Sequence, residues 1–165
     1  MAQNDRRKSD WRGRFYRYAP LIFWVGLVLF LSTGQASMSN TSRFIQPLLE
    51  FLFPNSPEET LIVYHGYLRK LAHITEYAIL AFWASRAFST SALKLLRRFW
   101  FLLSFVLVVA VAVADETNQS FNAARTSSIY DVLLDISGGT AMILIFYVFM
   151  KYRKKRLELK TLSSV

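Results

Sequence analysis

Long apolar runs alternate with short polar or basic segments along the whole chain. Four of these runs, at residues 18–33, 71–87, 99–114 and 129–150, predict helices of membrane-spanning type. A hydrocarbon core of about 30 Å takes roughly 20 helical residues, so the first and third runs must borrow flanking positions. Between the first two lies a shorter apolar cluster, Phe44, Ile45, Leu48, Leu49, Phe51 and Leu52, closed by Pro54 and Asn55-Ser56-Pro57. That cluster fits either an interfacial helix or a loop folded over the helix ends. Ser56 followed by Glu58 and Glu59 predicts an N-cap and first turn of a helix that runs on into the second span.

Almost every acidic or potentially catalytic residue near these runs falls at the same end. His73 and Glu76 open the second, Asp115, Glu116 and Gln119 close the third, and Arg125, Asp131 and Asp135 lead into the fourth. Antiparallel helices bring those ends together, and a charge at hydrocarbon depth is costly enough to need a reason. The expected architecture is an all-α integral membrane protein, a bundle of about four transmembrane helices. Its parts are a basic tail at residues 1–17, a membrane domain at 18–150 and a second basic tail at 151–165.

Composition agrees, since 53% of the 165 residues are hydrophobic and the mean hydropathy is positive, which excludes an ordinary soluble domain. Charge then sets the orientation. Sixteen of the twenty Lys and Arg residues lie before the first span, between the second and third, or after the fourth. Short basic loops stay in the cytoplasm, so both termini are expected there and the polar cluster on the extracytoplasmic side. The net charge of +9 is accounted for by topology and anionic lipid, with no nucleic-acid partner. A basic start before an apolar run also resembles a secretory signal, but the late apolar run and an ambiguous cleavage region favour retention. The absence of cysteine removes disulfides and thiolate chemistry.

Helical spacing groups the candidate site. His73, Glu76 and Tyr77 share one face at i, i+3 and i+4, with Lys70 a turn earlier; Asp115 and Gln119, and likewise Asp131 and Asp135, stand at i and i+4. Asp135 lies about 9 Å into its span at 1.5 Å per residue and must face a partner inside the bundle. Arg125 is the natural cation, and Gly138-Gly139 offers a smooth patch for a neighbouring helix. His65 reads as a loop or helix-start residue.

These residues carry a resemblance. Lys70-x-x-His73-x-x-Glu76-Tyr77-x-x-Leu80, followed by Asp115-Glu116-x-x-Gln119-x-Phe121-x-x-x-Arg125-x-x-Ser128-x-x-Asp131-x-x-x-Asp135-x-x-Gly138, resembles the signature of the VanZ-like family of small polytopic membrane proteins. The resemblance implies a multi-pass protein of the bacterial plasma membrane, related to an accessory factor of glycopeptide (teicoplanin) resistance. It implies no particular reaction.

Function is therefore read from the residues, and three readings stand. In the first, an enzyme acts on a lipid-linked envelope component, a polyprenyl-phosphate-linked or phospholipid head group. His73 is then general acid or base, Glu76 or Asp131 orients it, and Lys70, Tyr77, Asp115, Glu116, Gln119, Arg125 and Asp135 bind substrate. In the second, the same groups bind a lipid or lipoglycopeptide without chemistry. In the third, they only pair with one another to fix the helices. Acids around the site outnumber Lys70 and Arg125, so protonation, a cation or a cationic ligand must balance them. One histidine with several carboxylates suits a divalent metal, but no HxxxH or HExxH spacing singles out ligands, and neither metal nor cofactor is assigned. Membrane lipids are the expected partners. The one-ended distribution of polar residues argues against a channel or transporter path.

Overall fold

The structure, a computed structural model, describes residues 2–32, 38–120 and 128–162. Six helices follow in order among the described residues: α1 (Ala2–Ser32), α2 (Met38–Leu52), α3 (Glu58–Ser89), α4 (Lys94–Arg98), α5 (Trp100–Ser120) and α6 (Ile129–Leu162). Among the described residues there is no strand. Three helices among the described residues are long and apolar enough to cross a membrane, over Arg12–Ser32, Trp100–Gln119 and Ile129–Leu162.

The second apolar run is the exception. It is the heart of α3, and α3 falls short of a spanning composition because His73, Thr75, Glu76, Ser85 and Arg86 interrupt it. Its position explains how it tolerates them. α3 packs against α1, α2, α5 and α6, so its polar groups meet neighbouring helices as well as lipid. Tyr77, Leu80, Ala81, Ala84 and Ala87 give it a buried stripe at three- and four-residue spacing, matched by Val28 of α1, Val108 and Ala112 of α5 and Ile143 of α6. The alanines let backbones approach closely, which is how helices associate where lipid removes the usual hydrophobic drive. Large apolar side chains meanwhile point outward, among them Ile22, Phe23, Phe30, Leu102, Val106, Ile145 and Phe149, as suits a surface facing hydrocarbon.

Helix boundaries depart from the apolar runs in both directions. α1 begins sixteen residues before the first run and passes through Pro20, and α6 continues through the basic residues to Leu162, about 50 Å in all at 1.5 Å per residue. The short apolar cluster after the first run is helical and amphipathic, with Leu49 buried while Leu48, Phe51 and Leu52 remain exposed. Ser56 does not cap α3. The preceding residue is Pro57, whose carbonyl accepts from the Thr60 and Leu61 amides at 3.0 and 3.2 Å, and Glu58 and Glu59 occupy the favourable first turn.

Three contacts fix which ends meet. Arg86 Nη1 donates to the Tyr16 carbonyl at 3.3 Å, and the Tyr18 hydroxyl bonds Ser91 Oγ at 2.7 Å, so the start of the apolar part of α1 lies beside the end of α3. At the opposite end Ser32 Oγ donates to the Asp115 carbonyl at 3.0 Å, joining the end of α1 to the last turns of α5. The basic segments and the acidic cluster thus occupy opposite ends of one bundle.

Candidate functional site

The last turns of α5 start the site. Asp115 is 3% exposed and links three helices: its Oδ2 accepts from the Tyr77 hydroxyl of α3 at 3.1 Å, its Oδ1 from Gln119 Nε2 at 2.9 Å, and its carbonyl from Ser32 of α1. One residue on, Glu116 Oε1 accepts the Ser128 amide at 2.6 Å and so anchors the beginning of α6 to the end of α5. Ser128 in turn opens α6, its Oγ accepting from the Tyr130 amide at 3.2 Å.

α6 then brings Asp135 inward, also 3% exposed. Its Oδ1 lies 3.6 Å from His73 Nδ1, beyond ordinary hydrogen-bond length, and that oxygen has no hydrogen-bond partner among the described residues. Close approach of α6 makes this placement possible. A Cβ on Gly138 would fall 2.7 Å from the Ile74 carbonyl oxygen of α3, and one on Gly139 would fall 2.6 Å from Val108 Cγ1 of α5. The smooth glycine patch expected from the sequence therefore seats α6 against both neighbours.

A cavity of about 270 Å³ opens between α3, α5 and α6. Lys70, His73, Glu116, Gln119, Asp131 and Asp135 line it, joined by His65, Arg69, Gly66, Ile62 and Leu134. Six of the ten residues proposed from the sequence are thus gathered on one cavity. Asp115 and Tyr77 stand behind the wall, bonded to each other and withdrawn from the opening.

Glu76 goes elsewhere. Although only three residues from His73, it lines a separate, mostly apolar crevice between α1 and α3 with Trp24, Leu27, Leu31, Leu71 and Ile79, where Trp24 Nε1 donates to its backbone carbonyl at 3.0 Å. The carboxylate beside the His73 ring is that of Asp135. Residues 121–127, and with them Arg125, lie outside the described residues.

Two cavity residues escaped the sequence reading. His65 and Arg69 precede His73 by eight and four positions, the spacing of one helix face, and that spacing was the available signal once α3 is known to be continuous from Glu58. The cavity is lined by two cations, Arg69 and Lys70, and by three acids, Glu116, Asp131 and Asp135. Among the described residues neither Asp115 nor Asp135 forms an ion pair with a Lys or Arg. One donor atom from each of His73, Asp115 and Asp135 lies within 4.8 Å of the others, the set best placed to hold a metal ion.

Apolar helices with lipid-compatible surfaces, enclosing a polar cavity where α5 ends and α6 begins, define a helical membrane protein with a one-ended polar site. The chain belongs to the VanZ/LLP1 family, whose sequence model matches residues 17–150. No curated protein and no solved structure matches it.

Proposed function

We propose that this VanZ-like protein crosses the bacterial plasma membrane four times, through α1, α3, α5 and α6, and presents its cavity on the extracytoplasmic side to a lipid-linked envelope component. Both termini are then cytoplasmic, in keeping with basic segments at the end of the bundle opposite the cavity. The natural absence of cysteine gives a clean test of this topology. In intact cells, Glu59→Cys should react with a membrane-impermeant maleimide, whereas Lys94→Cys and Lys155→Cys should react only after lysis. Labelling in the reverse pattern would invert the protein.

The observation that carries the functional reading is the composition of the cavity wall, in which Arg69 and Lys70 stand beside His73 and Asp131. Guanidinium and ammonium groups complement the phosphate of a polyprenyl-phosphate-linked or phospholipid head group. His73, with Asp135 at its ring, supplies acid–base capacity near neutral pH for a step on that group. A binder without chemistry, for a lipid or for a lipoglycopeptide as glycopeptide resistance in the family suggests, uses the same wall. Asp115 also ties α3 to α5, since its two oxygens accept from Tyr77 and Gln119.

The test is thermal unfolding of the detergent-purified chain in EDTA against phospholipids, polyprenyl phosphates and teicoplanin. A phosphate-bearing lipid should raise the Tm of the wild type, and Lys70→Ala or Arg69→Ala should remove that rise. A shift of equal size in those variants, or none in any protein, would refute the lipid site, and product analysis on a responding lipid separates enzyme from binder.

A further inference from the structure

Asp135 presents a chemical problem that lipid recognition does not resolve. Its carboxylate is 3% exposed, it faces the cavity, and its Oδ1 has no hydrogen-bond partner among the described residues. A buried acceptor left this way is unfavourable unless something occupies the space before it. Nearby stand a second buried carboxylate and an imidazole. We propose that His73, Asp115 and Asp135 bind a divalent first-row transition-metal ion, Zn²⁺ or Mn²⁺, at the base of the cavity.

The donor set suits this cation class. Imidazole nitrogen is a preferred ligand of transition metals, carboxylate oxygen is accepted by Zn²⁺ and Mn²⁺ alike, and the harder Mg²⁺ and Ca²⁺ favour oxygen throughout. The spacing suits it too. Tetrahedral ligands on bonds of 2.0–2.1 Å lie about 3.3 Å apart, and His73 Nδ1 is 3.6 Å from Asp135 Oδ1, with a donor of Asp115 inside the same 4.8 Å cluster. Small side-chain movements would close the set around an ion.

Asp115 is prepared for the task. Tyr77 and Gln119 each donate to one of its oxygens, which fixes the carboxylate plane and leaves a second lone pair on each oxygen for a metal. Such outer hydrogen bonds are the usual support of a ligand carboxylate. A 2+ ion also balances two carboxylates that have no Lys or Arg ion-pair partner among the described residues. His73 and Asp135 line the cavity, so an ion held by them would be within reach of water or a phosphate oxygen there. The ion is a property of these three side chains and does not depend on the lipid reading.

The chain, purified with a tag that adds no histidine and stripped with EDTA, is titrated calorimetrically with ZnCl₂ and MnCl₂ in detergent without added lipid. Wild type should take up one equivalent of one of them. Asp135→Asn and His73→Gln should weaken that binding by well over about 10-fold, and Tyr77→Phe, which removes only a supporting hydrogen bond, by about 10-fold. Exposed Glu59→Gln is the unaffected control. Should the ligand variants fail to fold, the Mn²⁺-loaded wild type gives an independent reading, because pulsed EPR must show ¹⁴N coupling from one of only two histidines in the chain. No stoichiometric uptake, uptake that Asp135→Asn and His73→Gln retain, or Mn²⁺ bound without nitrogen coupling would each overturn the proposal. The EDTA-treated lipid assay is unaffected by any of these results.

Discussion

Gly138→Val is expected to prevent the bundle from assembling, with a loss of about 3 kcal/mol or more, because overpacking a tight contact commonly costs 1–3 kcal/mol and here the obstacle is backbone. Even a single Cβ at this position would meet the Ile74 carbonyl oxygen at 2.7 Å and the Ile74 Cα and Cγ2 at 3.1 Å. Neither the carbonyl nor the Cα can turn aside, so α6 must back away from α3, and with it Asp135 leaves His73. Gly139→Ala should be milder, since its nearest obstacle is a Val108 methyl at 2.6 Å, part of a side chain that can adjust. Gly26→Ala is the internal comparison. Nothing lies within 4 Å of its added methyl, and alanine is the better helix former by up to about 1 kcal/mol in water, so stability should hold or rise. Thermal unfolding and size-exclusion profiles in one detergent rank the three. A Gly138→Val protein as stable as Gly26→Ala would mean that α6 does not sit on α3 as described.

Asp115→Ala should cost about 2–4 kcal/mol by leaving two donors without an acceptor, the Tyr77 hydroxyl and the Gln119 amide, both of which are buried. Single interhelical hydrogen bonds in membranes average well under that, about 0.6 kcal/mol, so the larger figure comes from orphaning rather than from the bonds themselves. Tyr77→Phe removes only one donor and should lose about 1 kcal/mol. In the double variant no Tyr77 hydroxyl remains to be left without an acceptor, so the combined loss should fall short of the sum, a coupling a double-mutant cycle measures. Additive losses, or Asp115→Ala within about 0.5 kcal/mol of wild type, would remove the Asp115 side chain from its place as the junction of α3 and α5.

The sequence made much of this legible because membrane helices announce themselves by length and polarity. The runs that became α1, α5 and α6 could be seen directly, and the acids and His73 could be assigned to one end before any contact was known. Gly138 was legible for the same reason, as two adjacent glycines in an apolar helix have few other uses. What escaped was rotation. His73 and Glu76 are 60° apart on a helical wheel, and only the position of α1 decides that a boundary between two cavities runs between them. The helix that starts at Glu58 and runs into the second span is legible in the sequence, but its rotation is not, so nothing there marks His65 and Arg69 as facing the same cavity as His73. α4 was missed because five residues, Lys94–Arg98, carry too little periodicity to announce a helix. The metal-like cluster draws on three different helices, so no spacing within one segment could reveal it.

The central position of α3 bears on how the protein is made. On the four-crossing topology, the helix that holds His73 and Glu76 leaves the ribosome ahead of α5 and α6, the helices that later cover its polar side. Translocons partition segments by their own hydrophobicity, and each centrally placed charge weighs against entry by about 2.5–3.5 kcal/mol. Alone, α3 is a poor candidate for release into lipid. Biogenesis then favours its retention beside the insertion channel until its successors arrive, so that the functional end of the protein is completed only when the last helix has been synthesised.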